Sequence, residues 1–118
     1  MRLNRILIVS FFVTAASALA AGIALTSSPG SGVFGKVTVG KTSDPTTFTV
    51  KNTSANTVGI TGVSLTGTDP ADYTILSTGT CQVGSVLAVN GTCTVIVNFK
   101  PTAAGSRTAS VRVDSVSY

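Results

Sequence analysis

The chain has 118 residues, enough for one domain. Only 10% of them are charged and 43% are hydrophobic, with no Trp, His or Glu. Acid–base chemistry draws mainly on His, Glu, Asp, Lys, Cys and Tyr, so few catalytic options remain. The formal charge is +4, and the Lys and Arg residues are scattered rather than clustered. A nucleic-acid footprint needs such clusters, which argues against nucleic acid as a partner.

The first element is a leader. Arg2 and Arg5 precede an uncharged run, Ile6 to Leu25, and Ala18-Leu19-Ala20 matches a small-x-small cleavage pattern. The pattern predicts a signal peptide over 1–20, formed as a hydrophobic helix and cut after Ala20; Ala16-Ser17-Ala18 offers a second site. The alternative is an uncleaved membrane anchor reaching to about residue 25, since about 20 apolar residues span a bilayer. Small residues in its second half and the lack of a basic stop-transfer cluster favour cleavage. Either way the domain lies outside the cytoplasm, in the periplasm, at the cell surface or secreted. Any membrane contact is through an uncleaved leader alone. Without Arg2 and Arg5 the remaining six Lys and Arg face four Asp, a net +2. Residues 21–32, with Ser27-Ser28-Pro29-Gly30-Ser31-Gly32, are predicted to be a flexible linker. The folded domain, 33–118, then starts at Val33.

Beyond the linker the apolar period is near two. Phe48 and Val50 alternate with Thr47, Thr49 and Lys51, the pattern of a half-buried strand. Asn52 to Asn56 is a turn. Val58 and Ile60 share one face, whereas Val63 and Leu65 fall on the opposite parity, and Gly62 between them predicts a bulge or bend. Gly67-Thr68-Asp69-Pro70 is a turn. Tyr73 to Leu76 is a short strand, and Ser85 to Ala88 another, ending at the hairpin signal Asn90-Gly91. Cys93, Val95, Val97 and Phe99 form the inward face of the clearest strand, stopped by Pro101. Ala104-Gly105 turns the chain into Arg107 to Val113, with Ala109, Val111 and Val113 inward. About seven strands spaced by turn signals predict an all-β, antiparallel β-sandwich.

Two cysteines, Cys81 and Cys93, suit a disulfide outside the cytoplasm. Closing that loop would contribute about 2–3 kcal/mol. The functional alternative, a redox or metal pair, lacks C-x-x-C spacing, and a structural zinc lacks its other ligands. Asp69 and Asp72 are the one close carboxylate pair, and could serve a small hydrolase or a Ca²⁺-dependent carbohydrate binder. At that spacing the simpler reading makes Asp69 a turn-former and Asp72 a local cap. Asn52-Thr53-Ser54 and Asn90-Gly91-Thr92 match the N-x-[ST] glycosylation pattern, which matters only in a eukaryotic secretory host. No catalytic, cofactor-binding or metal site is therefore assigned, and no cofactor is expected.

Phe34-Gly35-Lys36-Val37-Thr38-Val39-Gly40 resembles the FG-x-V-x-VG opening of ASH-type domains, known in bacteria as choice-of-anchor D domains. Thr42 to Pro45, Thr49 to Thr53, Ile60 to Gly67 and Asp72-Tyr73 are similar to its TS-x-P, V-x-N-T, I-x-x-V-x-L-x-G and D-[FY] segments. Cys81 and Cys93 to Val97 resemble its paired cysteines, and Phe99 to Gly105 its F-x-P-T-x-x-G signature. The resemblance runs from Phe34 to Val113. It implies an immunoglobulin-like sandwich without catalytic residues, of the exported bacterial branch of this abnormal-spindle/hydin-like family. The family continues past the Arg107–Val113 strand with a turn and a final strand, which this chain is expected to lack. The expected function is thus a non-catalytic structural, adhesion or protein-binding module facing an unidentified protein or surface component. The alternatives are a strand-accepting domain completed by a partner or second copy, and a fragment of a tandem-repeat surface protein.

Overall fold

The computed structural model describes residues 6–14, 23–28, 34–105 and 107–118. Nine strands follow in chain order: β1 Ile6–Thr14, β2 Ile23–Ser28, β3 Gly35–Thr38, β4 Thr46–Asn52, β5 Val58–Thr66, β6 Tyr73–Leu76, β7 Val86–Leu87, β8 Thr92–Phe99 and β9 Arg107–Ser117. A single 3-10 turn, Pro70–Asp72, precedes β6. Seven of these strands, β3 to β9, fall in the segment for which about seven were predicted.

The strands form two sheets, a β-sandwich. One has the order β3-β1-β9-β5-β7 and the other β2-β4-β8-β6. β1–β9 is parallel, and every other pairing among the described residues is antiparallel. The core lies between the sheets. In β4 the alternation of Thr46, Phe48, Val50 and Asn52 puts all four inside, with Thr47, Thr49 and Lys51 turned outward. β8 buries Cys93, Val95, Val97 and Phe99, as its period of two predicts. Register brings Phe48 opposite Val95 and Val50 opposite Cys93. The facing sheet supplies Val58, Ile60, Ala109, Val111 and Val113. Each large apolar side chain so buried contributes about 1.5–3 kcal/mol of hydrophobic free energy.

The parity change in β5 has the predicted cause. Ile60 pairs with Ser115 and Gly62 with Asp114, so Thr61 is the extra residue of a bulge. Past it, Val63 and Leu65 align with Val113 and Val111. The turn after β5 needs its glycine: Gly67 has φ +107, and an added Cβ would lie 3.1 Å from the Ala109 Cα.

Three expectations are corrected. The N-terminal hydrophobic helix is not what forms: Ile6–Thr14 is a strand. An all-round apolar helix beside a small sandwich has nothing to bury against. The sequence Ile-Leu-Ile-Val-Ser-Phe-Phe-Val-Thr is instead rich in the β-branched and aromatic residues that favour strands, and a sheet position satisfies its backbone groups. The segment read as linker contains β2, whose Ile23 to Ser28 pairs with Asn52 to Thr47 of β4. Asn90-Gly91 makes no hairpin. β7 pairs with β5 and β8 with β4 and β6, so the turn carries the chain from one sheet to the other. The cleavage patterns at Ala16 to Ala20, the basic residues Arg2 and Arg5, the Pro29 to Gly32 part of the linker and the domain start at Val33 lie outside the described residues. Among the described residues no helix is long and apolar enough to cross a membrane.

Candidate functional site

Cys81 sits in the loop after β6 and Cys93 near the start of β8. They form an intrachain disulfide across a Cα separation of 4.9 Å. Both are buried. The loop around Cys81 adheres to β8 through further bonds. The Cys81 N–H donates to the Thr94 carbonyl at 2.8 Å, and the Thr94 N–H donates to Thr80 Oγ1 at 2.8 Å. The bridge thus staples an irregular loop to a central strand. A buried disulfide of this kind is consistent with an oxidising compartment.

Asp69 and Asp72 do come together, but with partners that their local spacing conceals. Asp69 sits at the N-cap of the 3-10 turn without capping it. Its Oδ1 instead meets Arg107 Nη1 at 3.0 Å, and its Oδ2 accepts the Thr108 N–H at 3.0 Å. Asp72, buried, accepts from Thr102 Oγ1 at 2.8 Å and lies 3.5 Å from Arg107 Nε. The Tyr73 hydroxyl donates to the Arg107 carbonyl at 3.0 Å. Asp69 takes part in the turn through its carbonyl, which accepts the Asp72 N–H at 3.2 Å, but the two side chains act at long range rather than as a local cap. The two carboxylates clamp the start of β9 and the Phe99–Gly105 turn to the entry of β6. Arg107, Thr102 and Tyr73 were not legible as members of this group, because 30 to 38 residues separate them from their partners.

Burial, and then the nearby charges of Asp69 and Asp72, push the Tyr73 phenol well above the ordinary tyrosine range; Arg107 opposes the shift. Its ring packs 4.8 Å from Phe99 and 5.6 Å from Phe34, centroid to centroid. The arrangement sets one guanidinium between two carboxylates, offsetting one of their two charges, and closes one end of the sandwich. Among the described residues, no group of three or more His, Cys, Asp or Glu is placed to hold a metal ion.

Asn52 is the least expected feature. It is wholly buried at the end of β4. Its amide donates to the carbonyls of Asn56, Leu87 and Ala88 at 2.7, 3.0 and 3.1 Å. Its Oδ1 accepts from the Ser54 N–H at 2.9 Å and from Ser54 Oγ at 2.7 Å. The side chain ties β4, the turn after it and the β7–β8 crossing into one unit. A nitrogen so enclosed is no glycan acceptor, whatever the Asn52-Thr53-Ser54 match suggests. Asn90, in the second match, is exposed and takes φ +65. Gly91 follows because a Cβ there would meet the Ala88 carbonyl oxygen at 2.9 Å.

On the outer face of the five-stranded sheet, Val86, Gly59 and Val116 align across β7, β5 and β9. The Tyr118 ring lies over Gly59. Val86, Val116 and Tyr118 are exposed, as are Val83 and Val89 in the flanking loops. Exposed apolar side chains gathered on one face suit contact with another protein. The chain matches no protein-family model, and no curated protein matches it.

Proposed function

We propose that this protein is a non-catalytic, extracytoplasmic immunoglobulin-like module of the ASH, or choice-of-anchor D, type, acting in a structural, adhesive or protein-binding role. The observation that carries this reading is the stapled sandwich. Two sheets hold an apolar core, a disulfide pins an irregular loop, and the acidic pair best suited to chemistry is bound to Arg107 and Thr102. An enzyme keeps reactive groups accessible to substrate. Here the carboxylates are occupied in holding the fold closed. The ordered segments that resemble the family, from Phe34 to Val113, support the family assignment. The leader and the disulfide support export, since disulfides persist in oxidising compartments. The exposed Val86, Val116 and Tyr118 support a protein partner.

The test is an export assay on the full chain in a bacterial host. The wild-type chain should appear outside the cytoplasm, resistant to thiol alkylation until reduced. A variant with Val9→Asp and Val13→Asp, which breaks the apolar run, should stay inside. Equal export of both chains, or free thiols in the exported protein, would overturn the reading.

A further inference from the structure

The leader and the sheet compete for the same nine residues. β1, Ile6–Thr14, lies between β3 and β9 as an inner strand of the five-stranded sheet. Val9 to Thr14 run parallel to Arg107 to Arg112, and Ile6 to Val9 run antiparallel to Thr38 to Gly35. Six register positions therefore tie β1 to β9 and four tie it to β3. β3 has no other neighbour in its sheet. Its far end is held independently, by the Gly40 N–H on the Pro101 carbonyl at 2.9 Å and the Ser43 N–H on the Phe99 carbonyl at 2.7 Å.

A segment engaged by the export machinery, or cut away after Ala20, cannot also fill that place. Only Val9 has partners on both strands, so the departure of the segment leaves a gap with two staggered edges. Along Arg107 to Arg112 and along Gly35 to Thr38, the backbone groups that face β1 lose their partners together, whereas the Thr108 N–H and carbonyl stay on Asp69. Such edges are templates for pairing with another chain. The gap also borders the core: Ala109 and Val111, both buried, are the register partners of Phe11 and Val13. Water in that position would wet the apolar interior as well as the backbone.

We propose that the gap between β3 and β9 is a strand-accepting slot. Ile6–Thr14 fills it before processing, and an extended apolar segment of a partner polypeptide fills it afterwards, running parallel to β9. The inference rests on the leader reading of the proposed function. The slot defines the chemistry of its occupant. The segment needs at least the six residues that pair with Arg107 to Arg112. It carries no proline where a backbone N–H must reach β9. It presents apolar residues in register with Ala109 and Val111, and β-branched residues suit the remainder.

The test uses the full chain, with the slot opened in place by Phe11→Pro and Val13→Pro. Hydrogen exchange at those amides of Arg107 to Arg112 that face β1 should accelerate at least about tenfold, whereas the Thr108 amide, held by Asp69, and β4 and β8 stay protected. A peptide carrying residues 6–14 between lysine tails should bind this variant and restore the protection. The same peptide should bind the wild-type chain at least about tenfold more weakly, because the slot is filled. A peptide with the two prolines should not bind the variant at all. Unchanged exchange in β9, or a peptide that restores nothing, overturns the proposal. Dimerisation of the variant without peptide also overturns it, by assigning the slot to a second copy. If the proline variant does not fold, Ser10→Cys with Thr108→Cys in the full chain decides, since these residues are register partners. A mapped Ser10–Thr108 crosslink supports the slot, and its absence overturns it. The export assay reads the leader alone. A chain that is exported but takes no peptide overturns only the slot. A chain that takes peptide but is not exported overturns only the exported reading.

Discussion

Asn52→Ala should be the most damaging alanine substitution at any polar position among the described residues. The side chain is wholly buried and makes five hydrogen bonds. Asn52→Ala takes a donor from three carbonyls. That of Leu87 is buried, and losing the amide there costs about 1–3 kcal/mol; those of Asn56 and Ala88 keep Ser54 Oγ and the Gly91 N–H as donors and cost about 0.5 kcal/mol each. The sum is about 2–4 kcal/mol, a large part of the about 5–15 kcal/mol that stabilises a small domain. Equilibrium unfolding in urea, followed by far-ultraviolet circular dichroism, measures it. With a slope of about 2 kcal/mol per molar urea, the midpoint should fall by about 1–2 M. Asn56→Ala, in the same turn, keeps the backbone carbonyl that Asn52 uses and should stay within about 0.5 kcal/mol of wild type. Asn52→Asp keeps the acceptor for Ser54 but sets a carboxylate against three carbonyl oxygens. It should be at least as unstable as Asn52→Ala at pH 7. A loss below about 1 kcal/mol in Asn52→Ala, with an unchanged slope, would refute the claim that this amide joins β4 to the β7–β8 crossing.

The disulfide should contribute about 2–3 kcal/mol by restraining the unfolded chain, so Cys81→Ser with Cys93→Ser should lower the melting temperature to match the reduced wild type; an unaltered melting temperature would show that the loop needs no staple. At the end of the sandwich, Asp72→Ala should cost about 1–3 kcal/mol, and a double-mutant cycle with Arg107→Ala should show coupling, because the carboxylate and guanidinium are largely shielded from water; strict additivity of the two losses would deny the clamp. Tyr73 predicts an alkaline limit. Its phenol is held above the ordinary value of 10.0 in the folded state, so the stability it contributes is full below that value and is lost as pH rises beyond it. Tyr73→Phe should cost about 1 kcal/mol at pH 7 through the lost bond to the Arg107 carbonyl, and should flatten the fall in stability above pH 10. An equal alkaline fall in both proteins would place its cause elsewhere.

The strands were legible because their evidence is local. The alternation of Cys93, Val95, Val97 and Phe99 settles which face is buried whatever the neighbouring strand is, since successive side chains point to opposite faces. The same holds for Phe48 and Val50, and for the bulge, where two runs of opposite parity require one extra residue in between. The disulfide was legible for a different reason: with only two cysteines there is one intrachain pairing.

What stayed hidden depends on partners far along the chain. Asn90-Gly91 looks like a hairpin turn in any short window, yet the preceding β7 is claimed by β5 and the following β8 by β4 and β6. Asp69 and Asp72 look like residues of a local turn, and only the return of β9 brings Arg107 between them. Asn52 looks like an ordinary turn residue until the β7–β8 crossing encloses it. The leader segment is the sharpest case. Ile6 to Thr14 has the composition of a membrane-seeking helix and equally of a buried strand, because both need only apolar residues. The sequence by itself therefore determined the strands, their inward faces and the staple, each set by residues close together or few in number. The tertiary structure alone decided which strands are neighbours, what the buried polar groups bind and which conformation Ile6–Thr14 takes, because those outcomes turn on free backbone edges and distant charges that no local pattern encodes.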